Sequence, residues 1–243
     1  MDNQLVTNVS VDSVVFGFDM IHLKVLLIRQ KIEHEGKTYE DFKFPGDIIR
    51  RDEDIDTASK RVLKEQTGLH GIYMKKLPAF GALDRLTRRP RDLSWLVAKG
   101  HPERRVITIP YFALINLTKD SLDLTPNAEW VNVDDVSTLP MIFDHKEIFE
   151  FALESLRNDL KTEPIAFELL PIKFTLSQLQ KVYEILFEIK LDKRNFRKKI
   201  TSLSYIVSLN EKEKGVKNRP ANLYIFSKDI YIKLKTEHFD FTI

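Results

Sequence analysis

The sequence contains no cysteine. Without a thiol there is no disulfide framework, no cysteine-ligated zinc and no cysteine nucleophile. Glycine and proline are sparse, at 8 and 10 residues, which excludes collagen-like and Gly/Pro-rich low-complexity architectures. No apolar run approaches the roughly 18 residues that a membrane span needs. The opening Met1-Asp2-Asn3-Gln4 lacks the basic region of a signal peptide. A cytoplasmic protein with no membrane partner is therefore expected. What is present suits a folded core: 43% of residues are hydrophobic and 30% are charged. At about 150 residues per domain, the length fits one large or two small domains.

The near-neutral total of +2 hides an asymmetry. Residues 1–160 carry a net −4 and residues 161–243 a net +6, with nine basic and two acidic residues inside Lys193–Arg219. Such a cluster is either a solvated lysine-rich face or a surface for a polyanion. The polar Lys161-Thr162-Glu163-Pro164 stretch marks the change of sign and is the expected linker. This places one domain at 1–160 and a second at 161–243.

In the first domain, Ser10–Phe18, Leu23–Gln30, Arg105–Leu117 and Ala128–Val133 read as strands. Ile55–Thr67 reads as a helix between an Asp54 N-cap and a Gly68 stop, and a second helix follows Asp144 to about Leu160. Strands in direct succession favour a mixed sheet flanked by helices over a regular βαβ repeat. After the linker, Thr175-Leu176-Ser177-Gln178 has the form of a capping box. Its helix is followed by a second short helix from Lys193 to about Leu203, capped by Asp192. Two strand-like runs, Tyr205–Leu209 and Leu223–Phe226, flank a basic loop. Helix, turn, helix and two-stranded wing make a winged helix-turn-helix pattern. The fold class is thus α+β, a mixed sheet flanked by helices and then a winged helix domain.

On a wheel of about 100° per residue, Phe196, Ile200 and Leu203 form one apolar stripe of the second helix. Arg194, Arg197, Lys198 and Thr201 lie on the opposite side, with Asn195 on the flank. A helix of this kind fits the major groove, where Arg can pair with guanine and Asn with adenine. The candidate DNA-binding residues are Lys193, Arg194, Asn195, Arg197, Lys198, Lys217 and Arg219. Lys212 and Lys214 add wing charge suited to phosphate oxygens. The competing reading is an ordinary amphipathic helix with a solvated basic face.

Pro45-Gly46-Asp47, Glu53 and the run Arg61 to Leu69 resemble the Nudix box, G-x5-E-x7-R-E-U-x-E-E-x-G-U with U aliphatic. Asp47 stands at the first Gly, with Gly46 one place early. Glu53 and Arg61 match, Val62 replaces a Glu, Leu63 and Glu65 match, Gln66 replaces the last Glu, and Gly68-Leu69 match. In Nudix hydrolases the first Glu and the Arg brace the loop, and the later glutamates hold a divalent cation against a diphosphate. Positions 62, 65 and 66 are i, i+3 and i+4 and share a helix face. Here that face offers a single carboxylate, too little for a hard cation. Glu53 and Arg61 are the expected structural pair, unless they form a mere surface salt-bridge cluster.

Together with Leu191–Ile200 and Arg219–Tyr224, these motifs resemble the Nudix-related transcriptional regulators, bacterial proteins with a degenerate Nudix domain ahead of a winged helix. The resemblance covers nearly the whole chain. It implies a homodimer on a palindromic operator, with DNA binding weakened by a small-molecule effector in the Nudix pocket. One branch of that family answers to ADP-ribose and another to pentoses such as arabinose; the strings after residue 164 look closer to the second. The resemblance also implies effector contacts at Lys43, Phe44, Asp47, Glu65, Asp84 and Arg85, each of which could equally be a surface charge or, for Phe44, a core residue. No metal, cofactor or catalytic residue is expected. His145 reads as a helix-cap residue. Leu86–Arg104 departs from the family pattern as an added segment. The alternative function is a Nudix pyrophosphohydrolase acting on a nucleoside diphosphate derivative; a weaker one is an interaction module with no DNA role.

Overall fold

The computed structural model describes residues 5–92, 105–117, 124–215 and 220–236. It divides into two compact units, one comprising Met1–Gly17, Lys24–Leu114 and Ser121–Glu154, the other Phe18–Leu23, Ile115–Asp120 and Ser155–Ile243. The division falls inside a helix, ahead of the boundary expected near Leu160. Lys161 and Thr162, read as linker, are the last turn of that helix, and Pro164 opens a short 3-10 turn.

The first unit is built on a seven-stranded sheet. Its strands are β1 (Leu5–Phe18), β2 (Leu23–His34), β3 (Lys37–Lys43), β4 (Gly46–Arg50), β5 (Tyr73–Lys76), β6 (Ile107–Asn116) and β7 (Ala128–Asn132). The path runs β3-β2-β1-β6-β5, with β4 paired to β1 and β7 to β2. β1 and β2 occupy the middle because their Val, Leu, Ile and Phe residues are buried on both faces; Val14, Val15, Phe16, Val25, Leu26 and Leu27 have no exposure. β2 turns into β3 through Glu35-Gly36, both at positive φ (49° and 71°), the backbone a two-residue hairpin demands.

Two helices cover the sheet. Helix α1 (Ile55–Thr67) starts where Asp54 accepts the Thr57 N–H at 2.6 Å and stops at Gly68, whose φ of 81° suits glycine. Ala58 and Val62 of α1 pack on Val11, Ile49 and Tyr111. Helix α2 (His145–Thr162) brings Phe149 against Phe16, with ring centres 6.1 Å apart. Val11 and Phe16 point to opposite faces of β1, so the sheet is sandwiched between α1 and the first half of α2.

The second unit holds α3 (Leu176–Phe187), α4 (Lys193–Thr201), the hairpin β8 (Ile206–Lys212) with β9 (Asn222–Phe226), and α5 (Lys228–Thr236). Thr175 and Gln178 close the expected capping box at 3.2 and 2.7 Å. Asp192 caps α4 through the Asn195 N–H at 2.8 Å. Phe174 pairs with Tyr224, adding a bridge to the hairpin. Leu179, Val182, Tyr183, Leu186, Phe196, Ile200 and Tyr205 make the core. Leu203, expected on the α4 stripe, is only half-buried and lies past the helix end at Thr201. No helix among the described residues is long and apolar enough to cross a membrane.

One glycine is fixed by crowding. A Cβ at Gly46 would lie 1.8 Å from Asp12 Oδ1 and 2.9 Å from the Val11 carbonyl oxygen. Gly46→Ala is expected to cost about 1–3 kcal/mol, the usual range for overpacking, read as a lower denaturation midpoint of the whole chain.

Candidate functional site

A cavity of about 310 Å³ opens in the first unit beside the start of α1's partner strands. Its apolar walls come from Ile28, Ile48, Leu86, Val106, Ile142 and Phe143, and its polar groups from Asp12, Lys43, Asp47, Gln66, Arg85 and His145. Of the six effector residues expected from the sequence, Lys43, Asp47 and Arg85 line it. Phe44, Glu65 and Asp84 do not. Phe44 is fully buried and its ring stacks on His145 at 5.2 Å, so it supports the cavity from behind. Glu65 is half exposed and pairs with Arg61 at 2.9 Å and Arg50 at 3.3 Å. Asp84 is exposed and lies 3.5 Å from Arg88.

The floor is a closed amide circuit. Gln66 Oε1 accepts the Gly46 N–H at 3.2 Å, and Gln66 Nε2 donates to the Gly46 carbonyl at 3.0 Å. Lys43 Nζ donates to the same carbonyl at 2.9 Å and to Gln66 Oε1 at 3.0 Å. The backbone of Gly46 offers one donor and one acceptor, and the Gln66 amide answers both. A glutamate here would set a carboxylate oxygen against the Gly46 oxygen.

Beside the floor stands the expected brace. Arg61 donates to Glu53 at 2.8 and 2.6 Å, and Glu53 also accepts the Arg50 N–H at 2.8 Å. The Arg61 hydrogen bond is the main reason the Glu53 carboxyl is held below its ordinary range, and Glu53 in turn raises Arg61. Two of the three positions of the would-be metal face have diverged, and the third is engaged elsewhere. Val62 is in the core, Glu65 is taken by two arginines, and Gln66 by Gly46 and Lys43. These residues do not fit a divalent cation. No cluster of three or more His, Asp or Glu placed to hold a metal occurs among the described residues.

The far wall is set by buried charge. Arg85 donates two bonds of 2.9 Å to Asp144 and one of 3.3 Å to the Val106 carbonyl. His145, expected as a helix cap, is the first residue of α2, but its Nδ1 accepts the Phe44 N–H at 3.0 Å, a residue far away in sequence. That bond assigns the neutral ring's proton to Nε2, which lies 3.7 Å from Asp12 Oδ1. Asp12 accepts the Thr108 hydroxyl at 2.6 Å. Sequence reasoning passed over Asp12 and Thr108; their partnership joins β1 to β6 and leaves no local pattern.

The described start of the added segment is pinned by arginines. Arg91 donates to Asp41 at 2.7 and 2.8 Å, and Arg89 reaches both Asp41 and Asp92, two carboxylates with no exposure. Asp92 also accepts the Phe143 N–H at 3.3 Å. Residues 93–104, with Trp95, lie outside the described residues.

In the second unit, α4 holds itself down by Phe196 and Ile200 and exposes Lys193, Arg194, Asn195, Arg197, Lys198 and Lys199. Lys217 and Arg219 lie outside the described residues. A cleft beside α4 is lined by Ser177, Lys193, Arg197, Thr201, Lys212 and Asn222, among others. Arg197 donates to the Ser177 hydroxyl at 3.2 Å.

A family model described as the NUDIX domain matches residues 6–151. This chain belongs to the NUDIX family. Behind its NUDIX domain, residues 166–226 match the NrtR DNA-binding winged helix domain. A curated relative, the ADPR responsive transcriptional repressor NtrR of Acinetobacter baylyi, is 29% identical over 226 residues, which is 91% of this NUDIX chain and 83% of that protein. The crystal structure of Shewanella oneidensis NrtR has a TM-score of 0.72 at 27% identity, covering 91% of this chain and 94% of that one. The same protein complexed with a 27mer DNA gives 0.71 at 26%, covering 96% and 97%. The mixed sheet with flanking helices followed by a winged helix, expected from the sequence, is the observed fold.

Acid should weaken this NUDIX unit. Burial pushes His145 down to about 3 from an ordinary 6.5, so its unfolded form binds a proton more readily than its folded form. Stability is therefore full above pH 6.5 and declines as pH falls towards 3, by up to about 1.4 kcal/mol per pH unit. Glu53, also depressed, adds to the loss below its ordinary 4.5. His145→Gln, which keeps an acceptor for the Phe44 amide, should flatten the slope between pH 6.5 and 4.5 in thermal melts.

Proposed function

We propose that the protein is an effector-responsive transcriptional repressor whose NUDIX cavity binds an ADP-ribose-like ligand without hydrolysing it. The observation that carries this reading is the conversion of the metal face: one carboxylate is left, and it is occupied by arginines. A cavity with polar groups on an apolar wall remains, which is what a binding site needs and a hydrolase without its metal cannot use. The Acinetobacter relative, an ADPR responsive repressor, supports the ligand class. That relative favours ADP-ribose over the pentose expected from the C-terminal strings. Lys43, Asp47 and Arg85 are the proposed effector contacts.

The winged helix would read a two-fold operator as part of a homodimer, with half-sites about one helical turn apart or a multiple of it. Lys193, Arg194, Asn195, Arg197 and Lys198 face the duplex in this reading, with Lys217 and Arg219 on the wing.

Thermal shift with ADP-ribose, ribose and arabinose separates the ligand classes. A ligand at about 100 times its Kd adds roughly 2.7 kcal/mol to the native state, so ADP-ribose should raise the melting temperature and the free sugars should not. The same ADP-ribose incubated with Mg²⁺ should stay intact. Cleavage to AMP at ordinary enzyme turnover would overturn the reading in favour of a pyrophosphohydrolase.

A further inference from the structure

The cations of α4 fall into two sets with different work. On a wheel of about 100° per residue with Phe196 at zero, Lys193, Arg197 and Thr201 sit at about 60°, 100° and 140°. They form one i, i+4, i+8 stripe, and all three line the cleft. Arg194 and Lys198 fall at about 160° and 200°, astride the line opposite the buried Phe196. Both are exposed, and neither lines the cleft.

The cleft gathers Lys193 and Arg197 from α4 and Lys212 from β8, with the Ser177 hydroxyl of α3 beside them. No acidic side chain is among its described lining residues. Three like charges from two elements facing one space repel each other unless an anion sits among them. Arg197 is also tied sideways by its 3.2 Å bond to Ser177. A guanidinium held sideways against a neighbouring helix is placed for a backbone oxygen, whereas Arg194 and Lys198 extend straight outward, where a groove-bound helix meets base edges. We propose that this cleft receives a phosphate of the DNA backbone, held by Lys193, Arg197 and Lys212 with the Ser177 hydroxyl, and that sequence is read by Arg194 and Lys198. This rests on the DNA-binding reading and divides the residues that the sequence had placed together.

The test uses the full chain and two duplexes. One is enriched from a randomised duplex library by the wild-type protein, and the other is its shuffled counterpart. Fluorescence anisotropy over a salt series gives affinity and slope for each. Arg197→Ala and Lys212→Ala should each weaken both duplexes by the same factor, about eightfold near 0.1 M salt, and lower the salt slope by about one. The preference for the enriched duplex should survive. Arg194→Ala should instead compress that preference, by about tenfold. Arg197→Gln keeps a donor for Ser177 without charge and should match Arg197→Ala, and equal melting temperatures exclude unfolding as the cause. Loss of preference with shuffled-duplex affinity intact in Arg197→Ala would make Arg197 a base reader and overturn the proposal. No change on either duplex would do the same. A wild-type chain that ignores both duplexes at low salt would overturn the DNA-binding reading itself.

Discussion

The NUDIX unit turns on one exchange between a side-chain amide and a peptide. Gln66 meets Gly46 as donor and acceptor together, and Lys43 closes the circuit from below. The loop ahead of α1 is thereby held by neutral hydrogen bonds and a single ammonium, where a hydrolase of this fold would spend carboxylates on a metal. The Glu53–Arg61 pair braces the same loop from the other side of the motif. A buried pair of this kind adds little net stability but punishes the loss of either partner, and so fixes the loop in one arrangement.

The second unit works by economy. A nine-residue helix would not persist alone. Two apolar anchors, Phe196 and Ile200, and one capping carboxylate, Asp192, hold α4 in place. Tyr183 lies 6.0 Å from Phe196 between ring centres, so α3 supplies the seat. Everything else on α4 is released to face outward, which is why so short an element can carry so many cations.

Much of this was readable because it is local. Asp54, Thr175 and Asp192 cap helices through amides three residues on, and Gly68 stops one; spacing alone reveals such contacts. The Glu53–Arg61 spacing was equally legible as part of a motif. The hairpin of β2 and β3 was not, since Glu35 at positive φ is an unusual turn residue. Helix α5 escaped because only Tyr231 is buried along a charged segment. In the cavity, Phe44 and Lys43 adjoin in sequence yet one backs the site and the other floors it. Glu65 carried the motif but not the site. Gln66 was visible as a lost ligand, while its gain, a bond to a backbone 20 residues away, belongs to tertiary structure alone.

Gly46 sits where that circuit meets Asp12, with no room for a single added carbon. The floor of the cavity is thus closed to drift at its centre. If the cavity holds the proposed effector, its shape is most freely altered at the side walls, at Ile28, Ile48, Leu86 or Val106, where volume can be traded without disturbing the amide beneath.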